Sequence, residues 1–192
     1  MAIEIRRLSA SLLEDYLFFF DTYEDCYCVC YCSDNHMGKD FSRQETRRSH
    51  AAQYVSSGMI KGYLAYSDNQ VVGWCNANRK ADCQECEGWK VMLSAVSTAK
   101  ANENVLSVFC YTIAPDFRRK GIAARFLEQI CNDAVEDGFD CIEAYPNKKF
   151  VDTFSDHMGP VDLYLKHGFV MHEDAGDKVV MRKHLKYMAI TL

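Results

Sequence analysis

The hydrophobic pattern changes period midway along the chain. From Val105 to Ile113 apolar residues occupy both faces, with Val105, Phe109, Tyr111 and Ile113 on one and Leu106, Val108 and Cys110 on the other. That pattern predicts a central strand covered on both sides. Pro115 cannot donate a ladder hydrogen bond and ends it. From Gly121 to about Asp137 the period becomes helical: Ile122, Phe126, Leu127, Ile130 and Ala134 form an apolar stripe, opposite Glu128, Gln129, Asn132, Asp133 and Glu136. Gly138 follows as a helix-ending glycine.

Weaker signals extend this order in both directions. Residues 2–8 predict a first strand. Ser11–Glu14 and Ser42–Glu45 read as capping boxes. The first opens a helix with Leu12, Leu13, Tyr16, Leu17 and Phe20 at helical spacing; the second opens a polar helix that Gly58 stops. Gly62–Ser67 and Val71–Ala77 predict a hairpin. Residues 79–102 read as a loop carrying Cys83, Cys86 and Trp89. Cys141–Tyr145 predicts another strand, Gly159-Pro160 a short helix through His167, and Phe169–His172 with Lys178–Lys183 a last hairpin. The order is β-α-α-β-β-β-α-β-α-β-β, an α/β (α+β) chain. With no repeat or Pro/Gly-rich linker, 192 residues predict one domain over 1–192.

Composition narrows the classes. Lys plus Arg is 22 against 27 Asp plus Glu, a net charge of −5, so a broad electrostatic nucleic-acid binder is not expected. The longest apolar cluster, Leu17–Phe20, is far short of the ~20 residues that span a bilayer. Acids in the first helical stretch argue against a signal peptide, so a cytoplasmic location is expected. The 10 cysteines then read as reduced thiols, since a chain of this length builds a core without disulfides. Cys83 and Cys86 have the spacing of a zinc half-site. The alternating Cys26, Cys28, Cys30 and Cys32 do not. On a flat strand alternate residues lie about 6.6 Å apart, whereas two sulfurs on one zinc lie about 3.8 Å apart. A turn, with His36, could gather them. No metal is expected, and a Cys-rich metal- or redox-responsive module stands as an alternative reading.

The candidate chemistry is at Asp116-Phe-Arg-Arg-Lys-Gly-Ile-Ala123, between the central strand and the amphipathic helix. The first N–H groups of a helix lack internal partners and carry partial positive charge. No Ser, Thr, Asp or Asn adjoins Gly121 to cap them, and Arg118, Arg119 and Lys120 add cationic charge. Gly121 permits close backbone approach, and Ala123 is small. Three basic residues alone would read as a solvated helix start; between strand and helix they predict a phosphate site. Neither the Walker loop nor the dinucleotide loop has this spacing.

Arg118-x-x-Gly121-x-Ala123 after a strand resembles the Q/R-x-x-G-x-G/A motif of the GNAT superfamily of N-acetyltransferases. Leu163-Tyr164-Leu-Lys-His-Gly168-Phe169 resembles that superfamily's later Y-x-x-x-G-F segment. Tyr63–Tyr66 with Val72-Gly73-Trp74 resembles its paired second and third strands. The Glu143-Ala-Tyr-Pro146 and Trp74-Cys75 sequences resemble a bacterial subgroup. The resemblance implies a mixed, mostly antiparallel twisted sheet with helices on both faces, and acetyl-CoA as donor. It places the pyrophosphate on backbone N–H groups of Arg119, Lys120, Gly121, Ile122 and Ala123, beside Arg118. The pantetheine arm and thioester would lie along Tyr111, Thr112 and Ile113, with the Ile113 N–H polarising the acetyl carbonyl.

By the same resemblance Tyr164 is the general acid for the departing thiolate; a phenol with an unperturbed pKa near ~10 is a proton donor at neutral pH. The matching CoA-contacting Asn is absent at its spacing, so Asn147 is not assigned. The acceptor is a small-molecule or peptide amine. A lysine-like amine spends about 4.6 kcal/mol to be neutral at pH 7 and an α-amine about 1 kcal/mol, so how much a base is needed depends on the acceptor. Glu143 is the nearest candidate, with an ordinary solvent-facing carboxylate as the alternative. Cys110 could carry the acetyl group covalently, but reads as a buried thiol. The acidic residues Asp25, Asp34, Asp40, Glu173 and Asp174 could attract a cationic amine. A homodimer is compatible with this fold. An acyl-CoA-binding sensor without turnover is the other alternative.

Overall fold

The computed structural model describes residues 2–152 and 155–185. Seven strands form one sheet in the order β1-β2-β3-β4-β5-β7-β6. They are β1 (Ile3–Arg7), β2 (Gly62–Ser67), β3 (Gln70–Arg79), β4 (Val105–Ile113), β5 (Cys141–Ala144), β6 (Val170–Ala175) and β7 (Lys178–His184). Every neighbouring pair is antiparallel except β4 and β5. The helices are α1 (Leu13–Tyr23), α2 (Gln44–Ser57), α3 (Glu87–Met92), α4 (Ile122–Glu136) and α5 (Val161–Lys166). The expected element order and mixed sheet are therefore present. Among the described residues no helix is long and apolar enough to cross a membrane.

The core forms where periodicity requires it. The five stripe residues of α4 are all buried, and Phe126 packs against Tyr111 of β4 at 6.3 Å between ring centroids. On the opposite face Trp74 of β3 meets Tyr16 of α1 edge-on at 4.9 Å and Phe20 at 6.4 Å. Apolar burial on both faces of the central strands is the main term holding these layers together.

Several local expectations are corrected. The capping boxes do not form: α1 begins after a 3-10 turn over Ala10–Leu12, and α2 is preceded by Arg43, neither with a side-chain cap. The Ser42 N–H donates instead to Asp40. Residues 79–102 hold α3 rather than only loop, and the Cys86 sulfur caps it by accepting the Trp89 N–H at 3.5 Å. Phe109 and Tyr111 also do not share one environment. A register shift pairs Asn76 with Cys110 but Ala77 with Val108, leaving Phe109 as the extra residue. Such a bulge twists the strand locally and re-aims side chains. Phe109 stacks on Tyr31 of the α1–α2 connection (5.1 Å, 9° between planes), whereas Tyr111 rests on α4.

The α1–α2 connection is a turn, not an extended run. Tyr27 and Cys28 both adopt left-handed backbone, at φ 49° and 48°, a strained conformation for such residues. The Tyr16 hydroxyl donates to Tyr27 O at 2.6 Å and Asn76 Nδ2 to Tyr31 O at 2.7 Å, which holds the turn to the sheet. Gly88 of α3 closes the other side, its N–H on Cys30 O at 2.9 Å. A Cβ there would stand 2.4 Å from the Tyr31 ring.

Candidate active site

The parallel pairing of β4 with β5 covers only Val105–Val108 against Cys141–Ala144. Beyond it β4 runs on to Ile113 while β5 has ended. The divergence leaves one edge of β4 without a strand. The Tyr111 N–H on that edge reaches His157 O at 2.6 Å, and Ala114 N–H turns the other way to Val72 O of β3 at 2.9 Å. Backbone groups in an antiparallel pair alternate in direction. The Ile113 N–H therefore points to the same side as that of Tyr111, into the gap.

The gap is a cavity of about 980 Å³. Tyr111, Thr112, Ile113, Arg118, Arg119 and Ala123 line one end of it. The Arg118 guanidinium ties the loop to the strand, its Nε donating to Ile113 O at 3.0 Å. Arg119 at φ 60° and Gly121 at φ 80° are both left-handed, a curvature that turns successive N–H groups inward as an anion nest. Gly121 precedes α4 without any side-chain cap. A Cβ on Gly121 would meet open space, so its glycine requirement is the positive φ rather than crowding. Ile122 is 1% exposed, so it offers only its backbone. Lys120 lies over the Phe117 ring at 5.1 Å and is not part of the cavity wall.

The other end is walled by the α1–α2 turn and by residues 155–160. Cys26, Cys28, Cys30, Tyr31, Met92 and Phe150 supply sulfur and aromatic carbon there. Burial works against ionising Cys28, but polar neighbours outweigh it, the Asn76 Nδ2 donating at 3.3 Å among them, and hold its thiol below the ordinary range. Cys110, which donates to it, is held well above, and burial adds to that rise. Among the described residues no group of three or more His, Cys, Asp or Glu side chains is placed to hold a metal. Cys83 and Cys86 are fully buried, and Cys32 bonds to Val29 O at 3.3 Å and contacts His36 Nε2 at 3.2 Å.

Neither expected proton-handling residue lines the cavity, and both are fully buried. Tyr164 lies behind Gly159: a Cβ on that glycine would stand 3.3 Å from the Tyr111 ring and 3.4 Å from the Tyr164 hydroxyl. The Tyr164 hydroxyl donates to Met158 O at 2.5 Å. Burial pushes its phenol well above the ordinary value, and Tyr111 partly offsets this. Glu143 is not at the cavity and is not solvent-facing. It is 0% exposed, accepts from Lys80 Nζ at 2.7 Å and Arg182 Nε at 2.9 Å, and receives the Tyr145 hydroxyl at 3.1 Å. Arg182 continues the network to Glu103 at 2.7 Å. Burial alone would raise the Glu143 carboxyl, but Lys80 and Arg182 hold it below the ordinary range. A carboxylate clamped by two cations has no lone pair to offer an acceptor, so the base role is withdrawn from it.

One titratable residue at the cavity carries no sequence signal. His157 lines the cavity, half-buried, with Nε2 at 3.3 Å from the Tyr31 hydroxyl. It sits in an irregular segment, where no periodicity marks it.

Comparison with known proteins agrees with this geometry. A family model, the Acetyltransferase (GNAT) family, matches residues 16–169. A search of curated proteins gives no significant match. Among solved structures the chain resembles ribosomal-protein-alanine N-acetyltransferase from Brucella melitensis, with a TM-score of 0.57 at 14% identity over 95% of this chain and 99% of that one. It resembles the acetyltransferase of GNAT family from Streptococcus pneumoniae at 0.56 and 14%, over 96% and 100%. It also resembles PaiA N-acetyltransferase from Thermoplasma acidophilum in complex with coenzyme A, at 0.51 and 17%, over 96% and 99%. At such identities these structures speak for the fold. The family match spans well over half of the sequence, and the chain belongs to the Acetyltransferase (GNAT) family.

Proposed function

We propose that the enzyme moves an acetyl group from acetyl-CoA to a primary amine by direct attack within a ternary complex. The observation that carries this is the convergence of two features on one cavity: the strand-free edge of β4 and the left-handed loop that opens α4. N–H groups of Arg119 to Ala123 hold the donor's pyrophosphate. The pantetheine arm runs along Tyr111 to Ile113. The Ile113 N–H donates to the acetyl oxygen, and the bond strengthens as negative charge develops there.

The amine attacks from the side walled by the α1–α2 turn. His157 receives its proton, an imidazole being suited to proton transfer near neutral pH. Tyr164 returns a proton to the leaving thiolate, releasing its bond to Met158 O to do so. That bond is also the observation favouring the alternative, a protein that binds acyl-CoA without turnover.

The first test is thermal stability with and without acetyl-CoA, with AMP as control. At ~100 times its dissociation constant the ligand adds about 2.7 kcal/mol, a rise of a few degrees at this size. A shift specific to acetyl-CoA supports the donor site; no shift at millimolar ligand removes both readings. Thiol release with an amine then separates enzyme from sensor. Intersecting initial-rate lines are expected, and parallel lines would point to a covalent intermediate instead.

A further inference from the structure

Four thiols share the cavity. Cys26, Cys28, Cys30 and Cys110 all line it, and none is in a disulfide. Two of them come together where the α1–α2 turn meets the sheet. Asn76 Nδ2 donates to Cys28 Sγ at 3.3 Å. Asn76 of β3 is also the direct antiparallel partner of Cys110 of β4. Such partners leave the sheet on one face, with Cβ atoms about 4.5–5.5 Å apart. Cys28 Sγ therefore lies against the patch of sheet from which the Cys110 side chain projects. Cys110 Sγ stays on that face, 3.6 Å from Thr112 Oγ1. The turn is anchored on both sides of Cys28, through Tyr27 O and Tyr31 O. The two thiols differ in readiness to react. Against its burial, Cys110 and the other polar neighbours hold Cys28 below the ordinary thiol range, whereas Cys28 and burial hold Cys110 well above it. The thiolate is the nucleophile. Asn76 adds a second mark: its side chain is 0% exposed, and its Oδ1 has no hydrogen-bond partner among the described residues.

We propose that Cys28 and Cys110 are a hydroperoxide-reactive pair, with Cys28 the attacking sulfur and Cys110 the resolving one. The Cys28 thiolate attacks one oxygen of the peroxide. An S–O bond forms, the O–O bond breaks, and the departing hydroxide takes a proton from solvent to become water. The Cys28 sulfenic acid then has Asn76 Oδ1 as an acceptor for its O–H. Cys110 Sγ attacks the Cys28 sulfur, the S–O bond breaks, and the departing hydroxide leaves as a second water with the Cys110 proton. Two thiols lose two electrons, and one peroxide is reduced to two waters. With Cys28 2% and Cys110 6% exposed, the oxidant arrives through the cavity, which suits a small hydroperoxide. The new bond ties the α1–α2 turn to β4 just before the stretch that has lost its neighbouring strand. This chemistry is independent of which group transfer the cavity performs.

The test treats reduced, native protein with equimolar hydrogen peroxide, blocks the remaining thiols in acid and maps the digest without reductant. A cross-linked Cys28–Cys110 peptide, absent before treatment and removed by dithiothreitol, is expected as the main oxidised product. In Cys110→Ser, Cys28 is expected to stop as a sulfenic acid that dimedone traps. In Cys28→Ser, loss of the Cys110 thiol is expected to slow by about 10-fold or more. The wild-type map decides the matter by itself should either variant not fold. Oxidation landing first on Cys26 or Cys30, a bond between any other two thiols, or a wild-type protein that stops at the sulfenic acid would each overturn the proposal. A Cys110 thiol lost as fast in folded Cys28→Ser as in the wild type would overturn it too, as would cavity thiols that all survive the peroxide.

Discussion

The two halves of β4 have opposite polar economies. Along Val105–Val108 the strand is paired on both edges, and the groups beside it are satisfied internally: Ser107 bonds Tyr145 at 2.5 Å, Tyr145 bonds Glu143 at 3.1 Å, and Glu143 is clamped by Lys80 and Arg182. Along Tyr111–Ile113 one edge has lost its strand, and the neighbouring loop presents uncapped N–H groups. The first half is a closed account of hydrogen bonds; the second is left open for a ligand to complete. A buried polar network holds a sheet in one register only when every member is satisfied. The locked half lets β5 leave β4 at a fixed point and so fixes where the gap begins.

Substitutions in the closed half should lower stability, and those in the open half should lower turnover. The largest expected effect is on folding: Glu143→Gln leaves Lys80 buried without a counter-charge and Arg182 with Glu103 alone, a loss of about 3–5 kcal/mol, read by denaturant melts. Acetyl-CoA affinity in the folded fraction should change less than about 3-fold, since no interaction with the donor is removed. A variant that melts like the wild type would break the comparison. The same network predicts a pH dependence. The Glu143 carboxyl is held below its ordinary value of 4.5, so its contribution is fully present above that value and is lost as pH falls through the lowered one. Melts between pH 6 and 3 should show this loss, and Glu143→Gln should flatten it.

Next is Tyr164→Phe, expected to cut turnover by about 100-fold or more, the usual scale for a general acid. A fall of less than about 3-fold would return the hydroxyl to a purely structural role on Met158 O. Gly121→Ala forces an alanine to φ 80° without a steric clash, at about 1–2 kcal/mol. It should weaken acetyl-CoA roughly 10-fold or flatten the nest, as calorimetry would show. The smallest effect is expected for Cys86→Ala, which removes the α3 cap at about 0.5–1 kcal/mol. Its thermal shift by acetyl-CoA should persist, because the sulfur is remote from the donor.

What the sequence revealed was local. The β4–α4 junction was legible because a two-period strand, a glycine and a helical stripe follow one another between Val105 and Ala134. Glu143 was misread because its clamps lie 63 and 39 positions away, and a lone carboxylate on a strand carries no mark of them. The alternating cysteines leave strand and turn open; the turn at Tyr27 and Cys28 is left-handed without Gly or Asn to announce it. The missed α3 spans Glu87–Met92 and is capped by a sulfur, below the length at which periodicity speaks. The capping boxes failed because a 3-10 turn and Asp40 took over the N-terminal ends. His157 went unseen because its position comes from the chain between β5 and α5, through the bond of its carbonyl to Tyr111.

Gly88 lines a smaller hollow beside the main cavity and stands behind Tyr31, one of that cavity's walls. Its missing side chain is what lets the Tyr31 ring stand back against Phe109. One methyl there would press on that ring and on the Cys30 carbonyl, shifting a wall of the main cavity while leaving each residue of its lining unchanged. The room in the main cavity can therefore drift through a backbone position outside its lining, and such a change would register first in which ligands still fit.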